Sequence, residues 1–302
     1  MPTTLVTGGL GYCGRHVVRA LAERSDQVVS YNRDFSEAGD AGVVAVQGEL
    51  FDIPRLLETI RERGVDRIVH TAAMSHPDLS IEFPVATFSA NVDGTLHLFE
   101  AARLSGVRRI VSFSSETVYG HVEGPVAESA ALHPTTPYGV TKVTVELMAD
   151  VYNRLYEMDV ISLRISEVYG PGNKMPTALR DMLIAAVRGE PFRMDAGADH
   201  RFHFIHVDDV AGAVLHALDC ARPEHAVFNV NGGPQVSLRE AAEHVRAAVP
   251  GADIELGAGH WHLDRQGEWD TSRAERELGY RPVVPLDEGI VRYAEWLRAH
   301  PY

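Results

Sequence analysis

Tyr138 and Lys142 stand four residues apart in the run Tyr138-Gly139-Val140-Thr141-Lys142. On a helix that spacing puts a phenol and an ammonium on one face. A free tyrosine ionises at about pH 10, too high for a general base in neutral water. A neighbouring cation favours the phenolate and draws it toward the working range. Ser115 ends a predicted strand and can donate a hydrogen bond to a substrate oxygen. The three side chains suit removal of a proton from a hydroxyl while a second group steadies the oxygen. The bland alternative is an ordinary surface Tyr-Lys pair. It loses weight if the set borders a cofactor site.

Such a site is predicted near the N-terminus. Thr7-Gly8-Gly9-Leu10-Gly11-Tyr12-Cys13-Gly14 lies between a predicted strand and a predicted helix, and its glycines satisfy both a GxxGxxG and a GxGxxG spacing. Glycine is needed where the backbone turns tightly, approaches a pyrophosphate and lets helix pack on strand. The helix N-terminus then offers free N–H groups and a positive dipole to the phosphates. A glycine-rich turn without a ligand is the alternative, and the strand–loop–helix context weighs against it. At the end of the second strand an acid selects NAD, and an arginine can take the extra phosphate of NADP. Here Asn32 holds the expected acid position with Arg33 beside it, a lean toward NADP over NAD that nearby Asp34 tempers. Glu49 and Leu50, after the third strand, are expected to flank the adenine.

The elements that must position these residues alternate strand with helix, the βαβ signature of a parallel sheet. Strands are predicted at residues 4–6, 27–31, 43–46, 67–70, 109–113 and 160–164. Helices are predicted at 14–23, 53–63, 84–104 and 138–156. Beyond Tyr169-Gly170-Pro171-Gly172 the alternation weakens, with helices at 178–188, 207–218, 238–249 and 286–297 and a short strand around Phe204-Ile205. The expected fold class is α/β, a Rossmann-type doubly wound parallel sheet with a smaller C-terminal substrate lobe. Residues 1–170 form the dinucleotide-binding domain, with some later segments returning to it, and 171–302 are mainly the substrate lobe.

Bulk properties narrow the partners. The 28 Lys and Arg against 42 Asp and Glu leave a formal charge of -14, which repels phosphate backbones and excludes nucleic acid. Two cysteines, Cys13 and Cys220, make no disulfide framework and lack metal-ligand spacing, as expected for a reducing cytoplasm. No apolar run approaches the roughly 20 residues of a membrane helix, and no signal segment precedes the glycine loop, so neither a membrane nor export is expected. His200, His203 and His206 suggest no fourth ligand, and no metal is expected.

Further motifs carry a family resemblance over nearly the whole chain. His70-Thr71-Ala72-Ala73, Asn91-Val92-Asp93-Gly94-Thr95 and Ser114-Ser115-Glu116-Thr117-Val118-Tyr119-Gly120 are among them. So are Leu163-Arg164-Ile165-Ser166-Glu167-Val168-Tyr169-Gly170-Pro171 and His206-Val207-Asp208-Asp209-Val210, with Asp270-Thr271-Ser272-Arg273 and Glu277-Leu278-Gly279-Tyr280 near the end. With the glycine loop and the Tyr138-Lys142 pair, the chain resembles the extended short-chain dehydrogenase/reductases, the group of sugar-nucleotide epimerases and dehydratases. The resemblance implies a catalytic set of Ser115, Tyr138 and Lys142. Its cofactor set is Gly8, Gly11, Tyr12, Cys13, Gly14, Asn32, Arg33, Glu49, Leu50, Thr71, Ala72, Ala73, Asn91 and Ile165, with Tyr138 and Lys142. Its substrate set is Met74, Ser75, Glu116, Thr117, Glu167 and Arg201. A homodimer through the helices around Asn91 and Tyr138 is also implied.

Three departures bear on substrate. Glu167 stands where the family usually has an asparagine touching a diphosphate, and a carboxylate there is unfavourable without a cation. The stretch from Gly172 to Arg201 is short. Glu116 follows the catalytic serine, but Thr117 takes the place of the second acid a dehydratase carries, which ranks dehydration low. Arg201 matches a diphosphate-holding arginine, with a salt bridge to a nearby acid as the equal alternative. The leading expectation is an NAD(P)-dependent epimerase of a nucleotide-linked sugar, working through transient hydride transfer and a keto intermediate. Its rival is a dehydrogenase or ketoreductase of a plain sugar or small alcohol, and behind it a dinucleotide-binding regulator without chemistry.

Overall fold

The computed structural model describes residues 2–34 and 42–300. The first half winds β1 (Thr3–Thr7), α1 (Tyr12–Glu23), β2 (Gln27–Asn32), β3 (Val43–Gln47), α2 (Ile53–Glu62) and β4 (Arg67–His70). Then follow α3 (Pro77–Glu82), α4 (Pro84–Phe88), α5 (Gly94–Leu104), β5 (Arg109–Ser115), α6 (Pro137–Tyr156) and β6 (Asp159–Ile165). The second half contains β7 (Glu167–Tyr169), α7 (Ala178–Arg188), β8 (Phe192–Met194), β9 (Arg201–Phe202), β10 (Phe204–His206) and α8 (Val207–Asp219). It closes with β11 (Val227–Val230), β12 (Val236–Ser237), α9 (Leu238–Ala248), β13 (Ile254–Leu256) and α10 (Leu286–Ala299).

Seven strands form one sheet in the order β11-β6-β5-β4-β1-β2-β3, every pair parallel. The strand order reverses between β1 and β4, the crevice where open α/β sheets take ligands at their carboxyl ends. The strands read as apolar runs because helices cover both faces. Val6, Val17, Leu21, Val111, Leu163, Val214 and Phe228 pack on one face. Leu5, Val29, Ile68, Leu98, Phe99, Ile110 and Val160 pack on the other. A third cluster, including Leu179, Met182, Leu183, Leu238 and Tyr293, sits among α7, α9 and α10. From the second half, β11 pairs with β6 in the main sheet, from Val227↔Ser162 to Val230↔Ile165.

The helix expected over residues 84–104 is interrupted. A wider π turn at Ser89–Asp93 separates α4 from α5. That turn carries Asn91, whose Nδ2 donates to Met74 O at 3.1 Å and to Thr141 Oγ1 at 3.0 Å. Its Oδ1 accepts from Met74 N at 2.8 Å. The bulge lets one carboxamide tie the segment after β4 to α6. The catalytic helix α6 starts where Thr136 accepts from Gly139 N at 3.1 Å and Pro137 supplies a first-turn residue that needs no donor. It ends where Glu157 adopts the left-handed conformation.

Candidate active site

The glycine loop is shaped to exclude side chains. A Cβ on Gly14 would lie 2.1 Å from Gly8 O, and one on Gly9 2.3 Å from Ser30 Oγ. Gly8 adopts φ 73, and a Cβ there would meet the Ala72 backbone at 2.9 Å. This is a cradle for a close-approaching pyrophosphate at the start of α1, and the residues present fit a dinucleotide. His70 locks the neighbouring strand end, with Nδ1 2.7 Å from Thr7 Oγ1 and Nε2 2.8 Å from Thr95 Oγ1. Burial holds that imidazole neutral, its pKa lowered to about 3.

On one side of the loop a chamber is lined by Leu10, Tyr31, Asn32, Arg33, Glu49, Leu50 and Met74, among others. Tyr31 supports it by donating its hydroxyl to Glu49 O at 3.1 Å. Asn32 turns inward: its Oδ1 accepts from Leu10 N at 2.9 Å and its Nδ2 donates to Ser30 Oγ at 3.0 Å. The side chain at the acid position therefore braces the glycine loop. Arg33, 75% exposed and 3.5 Å from Asp34, remains at the chamber's rim.

On the other side, a cavity of about 310 Å³ brings Gly8, Gly11 and Gly14 together with Ser115, Tyr138 and Lys142. Tyr12, Cys13, Thr71, Ala72, Ala73, Ser75, Glu116, Thr117, Ile165 and Glu167 also line it. The Tyr138 amide donates to Ser80 Oγ at 3.0 Å, fixing the helix start. Burial pushes the Tyr138 phenol above its ordinary value, a hydrogen bond with Ser115 opposes that, and Cys13 and Glu116 add to it. Ser115 Oγ accepts from Thr117 N at 3.2 Å and from Thr117 Oγ1 at 3.1 Å. Lys142 Nζ donates to Phe113 O at 2.7 Å and lies 5.5 Å from the Tyr138 ring centre. Burial lowers its pKa to about 8, with Glu146 opposing. Desolvation thus raises the phenol where a lowering by Lys142 was expected, and the group that opposes the rise is Ser115. The arrangement nonetheless puts a phenol, a hydroxyl and an ammonium on one wall facing the glycine cradle.

Residues 4–231 match the NAD dependent epimerase/dehydratase family. The chain belongs to that family. It is 32% identical to the dTDP-glucose 4,6-dehydratase of Streptomyces antibioticus, over 97% of this chain and 92% of that protein. It is 31% identical to the UDP-glucose 4-epimerase of Mycolicibacterium smegmatis, over 98% of each. The Thermus thermophilus UDP-glucose 4-epimerase, solved in complex with NAD, superposes with a TM-score of 0.88 at 26% identity, covering 99% of both chains. The chain is therefore an enzyme of the extended short-chain dehydrogenase/reductase type, related to NAD-dependent nucleotide-sugar epimerases and dehydratases.

Within this epimerase/dehydratase scaffold, three expected contacts fall elsewhere. Asn91 touches the site through Met74 and Thr141, its carboxamide being fully engaged by protein. Met74, expected at the substrate, lines the chamber of Asn32 and Leu50, because Asn91 holds its backbone there. Arg201 lines neither this cavity nor the chamber of Asn32, donating instead to Gln235 O at 2.7 Å and pairing with Glu240 at 3.4 Å. The three histidines also separate. His203 Nε2 accepts from Trp269 N at 3.1 Å, His206 Nδ1 accepts from Asp208 N at 3.2 Å, and His200 packs against Phe202.

The structure adds residues that sequence reasoning missed. Asn173, Met175 and Thr177 close the cavity from the segment before α7. Behind the catalytic wall Arg164 pairs with Glu146 at 2.6 Å, and Ser114 Oγ donates to Glu146 Oε1 at 2.5 Å. Glu146 continues the four-residue spacing from Tyr138 through Lys142, a signal that could have found it. Asp264, which raises Glu116 from a distant loop, left no such signal.

Proposed function

We propose that this enzyme is an NAD(P)-dependent epimerase acting on a nucleotide-linked sugar. The observation that carries the reading is one cavity holding Ser115, Tyr138 and Lys142 against the glycine cradle. Tyr138 takes the proton of a sugar hydroxyl, and Ser115 donates to the oxygen as it becomes a ketone. Lys142 holds positive charge beside the phenol and would hold the nicotinamide ribose when the nucleotide is bound. When bound, the nicotinamide supplies the hydride acceptor and donor. Return of hydride to the opposite face of the ketone inverts the carbon, with Tyr138 giving back its proton. Denaturing the purified protein and identifying the released nucleotide tests this, since internal recycling requires near-stoichiometric retained cofactor. The assay partner is UDP-glucose, with formation of its epimer as the readout.

A second reading, a dehydrogenase or ketoreductase of an alcohol without a diphosphate, is favoured by one observation. The chamber beyond the cavity offers His76, Asp78, Glu167 and His262 but no arginine. This reading expects little retained cofactor and exchange at each turnover.

The cofactor assignment extends to NADP. Asn32 carries no charge to repel a 2′-phosphate, and Arg33 stands at the chamber's edge. Arg33→Ala is expected to weaken NADP binding about tenfold while leaving NAD nearly unchanged, the scale of one charge-assisted hydrogen bond. Titration of the two nucleotides into the variant checks it, and equal losses for both would remove the assignment.

The assembly we propose is a homodimer through α3, α4 and α6. Val140, Leu147, Val151 and Leu155 share one face of α6, with Leu147 62% and Leu155 65% exposed. Val85 and Ile81 beside them are 81% and 63% exposed. Contiguous exposed apolar surface of this kind marks an interface. Val85→Glu combined with Leu147→Glu is expected to halve the mass seen by light scattering. The location we propose is the cytoplasm, supported by Cys13 and Cys220 both being free thiols. Among the described residues no helix is long and apolar enough to cross a membrane.

A further inference from the structure

Glu116 and Glu167 line the same cavity as Ser115 and Tyr138, one from the end of β5 and the other from the start of β7. Among the residues lining that cavity Lys142 is the one basic side chain, and it is turned to Phe113 O. Neither carboxylate has a hydrogen-bond or ion-pair partner in the described residues. The bonds at these positions are backbone ones: Gln266 Nε2 donates to Glu116 O at 2.9 Å, and Glu167 N donates to His203 O at 3.1 Å. Between them Ser166, 4% exposed, has a hydroxyl with no hydrogen-bond partner, and it lines the same cavity. A buried polar group without a partner costs about 1–3 kcal/mol, so each such group calls for a ligand that satisfies it.

The two carboxylates accept when ionised, and the Ser166 hydroxyl can accept or donate. A substrate phosphate or carboxylate would meet like charge at short range in a poorly solvated cavity. A sugar hydroxyl offers one donor. An ammonium offers three donors, no acceptor and a compensating charge. We propose that the substrate carries a basic amino group on its reacting unit, held as an ammonium by Glu116, Glu167 and Ser166. The proposal rests on the alcohol-oxidising reading of this site and names the substrate class it takes.

The electrostatics agree with the geometry. Burial raises Glu116 well above the ordinary carboxylate range, with Glu167 and Asp264 adding to it. Burial likewise raises Glu167 to about 7. Two carboxylates in one desolvated site cannot both ionise cheaply, so the pair retains a proton near neutrality. The other titratable groups facing them are Tyr12, Cys13, Tyr138 and Lys142 across the cavity, Asp264 beside Glu116, and His76, Asp78 and His262 in the chamber adjoining Glu167. An entering ammonium lets both carboxylates ionise and expels that proton. It also offsets the effect of Glu116 on the Tyr138 phenol.

The test is calorimetric titration of the full-length enzyme, saturated with its nicotinamide nucleotide, with glucose and its 2-, 3- and 6-amino-deoxy derivatives. Each sugar is used free and as the UDP conjugate. At least one amine should bind about tenfold or more tightly than its neutral parent, the scale of one charge-assisted hydrogen bond. Its affinity should rise as pH passes upward through about 7. Titration in buffers of different ionisation enthalpy should show proton release, lost in Glu167→Gln. Glu116→Gln and Glu167→Gln should each cut the preference for the amine over its parent sugar about tenfold. Both variants should melt no lower than wild type, because they remove like charge from a half-buried pair of carboxylates. The proposal is overturned if no amine outbinds its parent, or if the preference survives in both variants. The epimerase reading stands or falls separately, on whether any sugar in the panel yields an epimer.

Discussion

Tyr138→Phe is expected to lower kcat by about 10²–10⁴, the contribution of one well-placed acid–base group, with KM and nucleotide retention little changed. The glycine cradle, with its Gly14-to-Gly8 approach, is unaffected by loss of one phenolic oxygen. The phenol is the group in contact with Ser115, so removing it takes away the proton acceptor and leaves the oxygen-steadying hydroxyl. Ser115→Ala should cost less, since the phenol remains to share the substrate oxygen. Single-turnover reduction of bound nucleotide, followed at the nicotinamide absorbance, isolates the step. A Tyr138→Phe enzyme within a few-fold of wild type would refute the assignment of this residue as the base. It would also revive the regulator reading, which predicts indifference to the change.

The parts of this site that are local in sequence were legible, and the parts assembled across the fold were not. The glycine loop announces itself because its close contacts lie within a few residues, Gly14 against Gly8. Tyr138 and Lys142 declare their shared face through helical spacing alone. By contrast, Glu116 follows β5 and Glu167 opens β7, and the parallel register of β5 with β6, ending at Ser115↔Ile165, brings them to one cavity. Each was read singly as a departure from a family pattern; their joint meaning is tertiary. Arg201 could be a phosphate ligand or a surface ion pair, and its partners in this structure, Glu240 and Gln235 O, lie across the fold where no sequence spacing announces them. The strands β8, β9, β12 and β13 hold two or three residues each, too few to show an alternating pattern. Likewise the break at Ser89–Asp93 is made by the needs of Asn91, which no helical periodicity reveals.

Arg164→Met should destabilise the fold by about 3–5 kcal/mol, the scale for stranding one member of a buried ion pair. Arg164 and Glu146 are 3% and 5% exposed, and the guanidinium also donates to Tyr119 Oη at 2.8 Å and Glu128 O at 3.0 Å. Without it, Ser114 is the hydrogen-bond partner left to Glu146 among the described residues. Urea denaturation measures the loss, and a shift under about 1 kcal/mol would show that the pair is a bystander. The double variant Arg164→Met with Glu146→Leu removes both charges and should regain most of the stability, as buried pairs replaced by apolar residues commonly do. Activity of that double variant then separates two roles. Glu146 lies one turn beyond Lys142 and favours its charged form, while its partner Ser114 precedes Ser115. If the pair positions the catalytic wall, kcat stays low after stability returns, and the alkaline limb of the rate profile moves to lower pH as Lys142 loses its supporting charge. If kcat returns with the fold, the network is structural and the catalytic wall is held by Phe113 O, Ser80 and Thr136 alone.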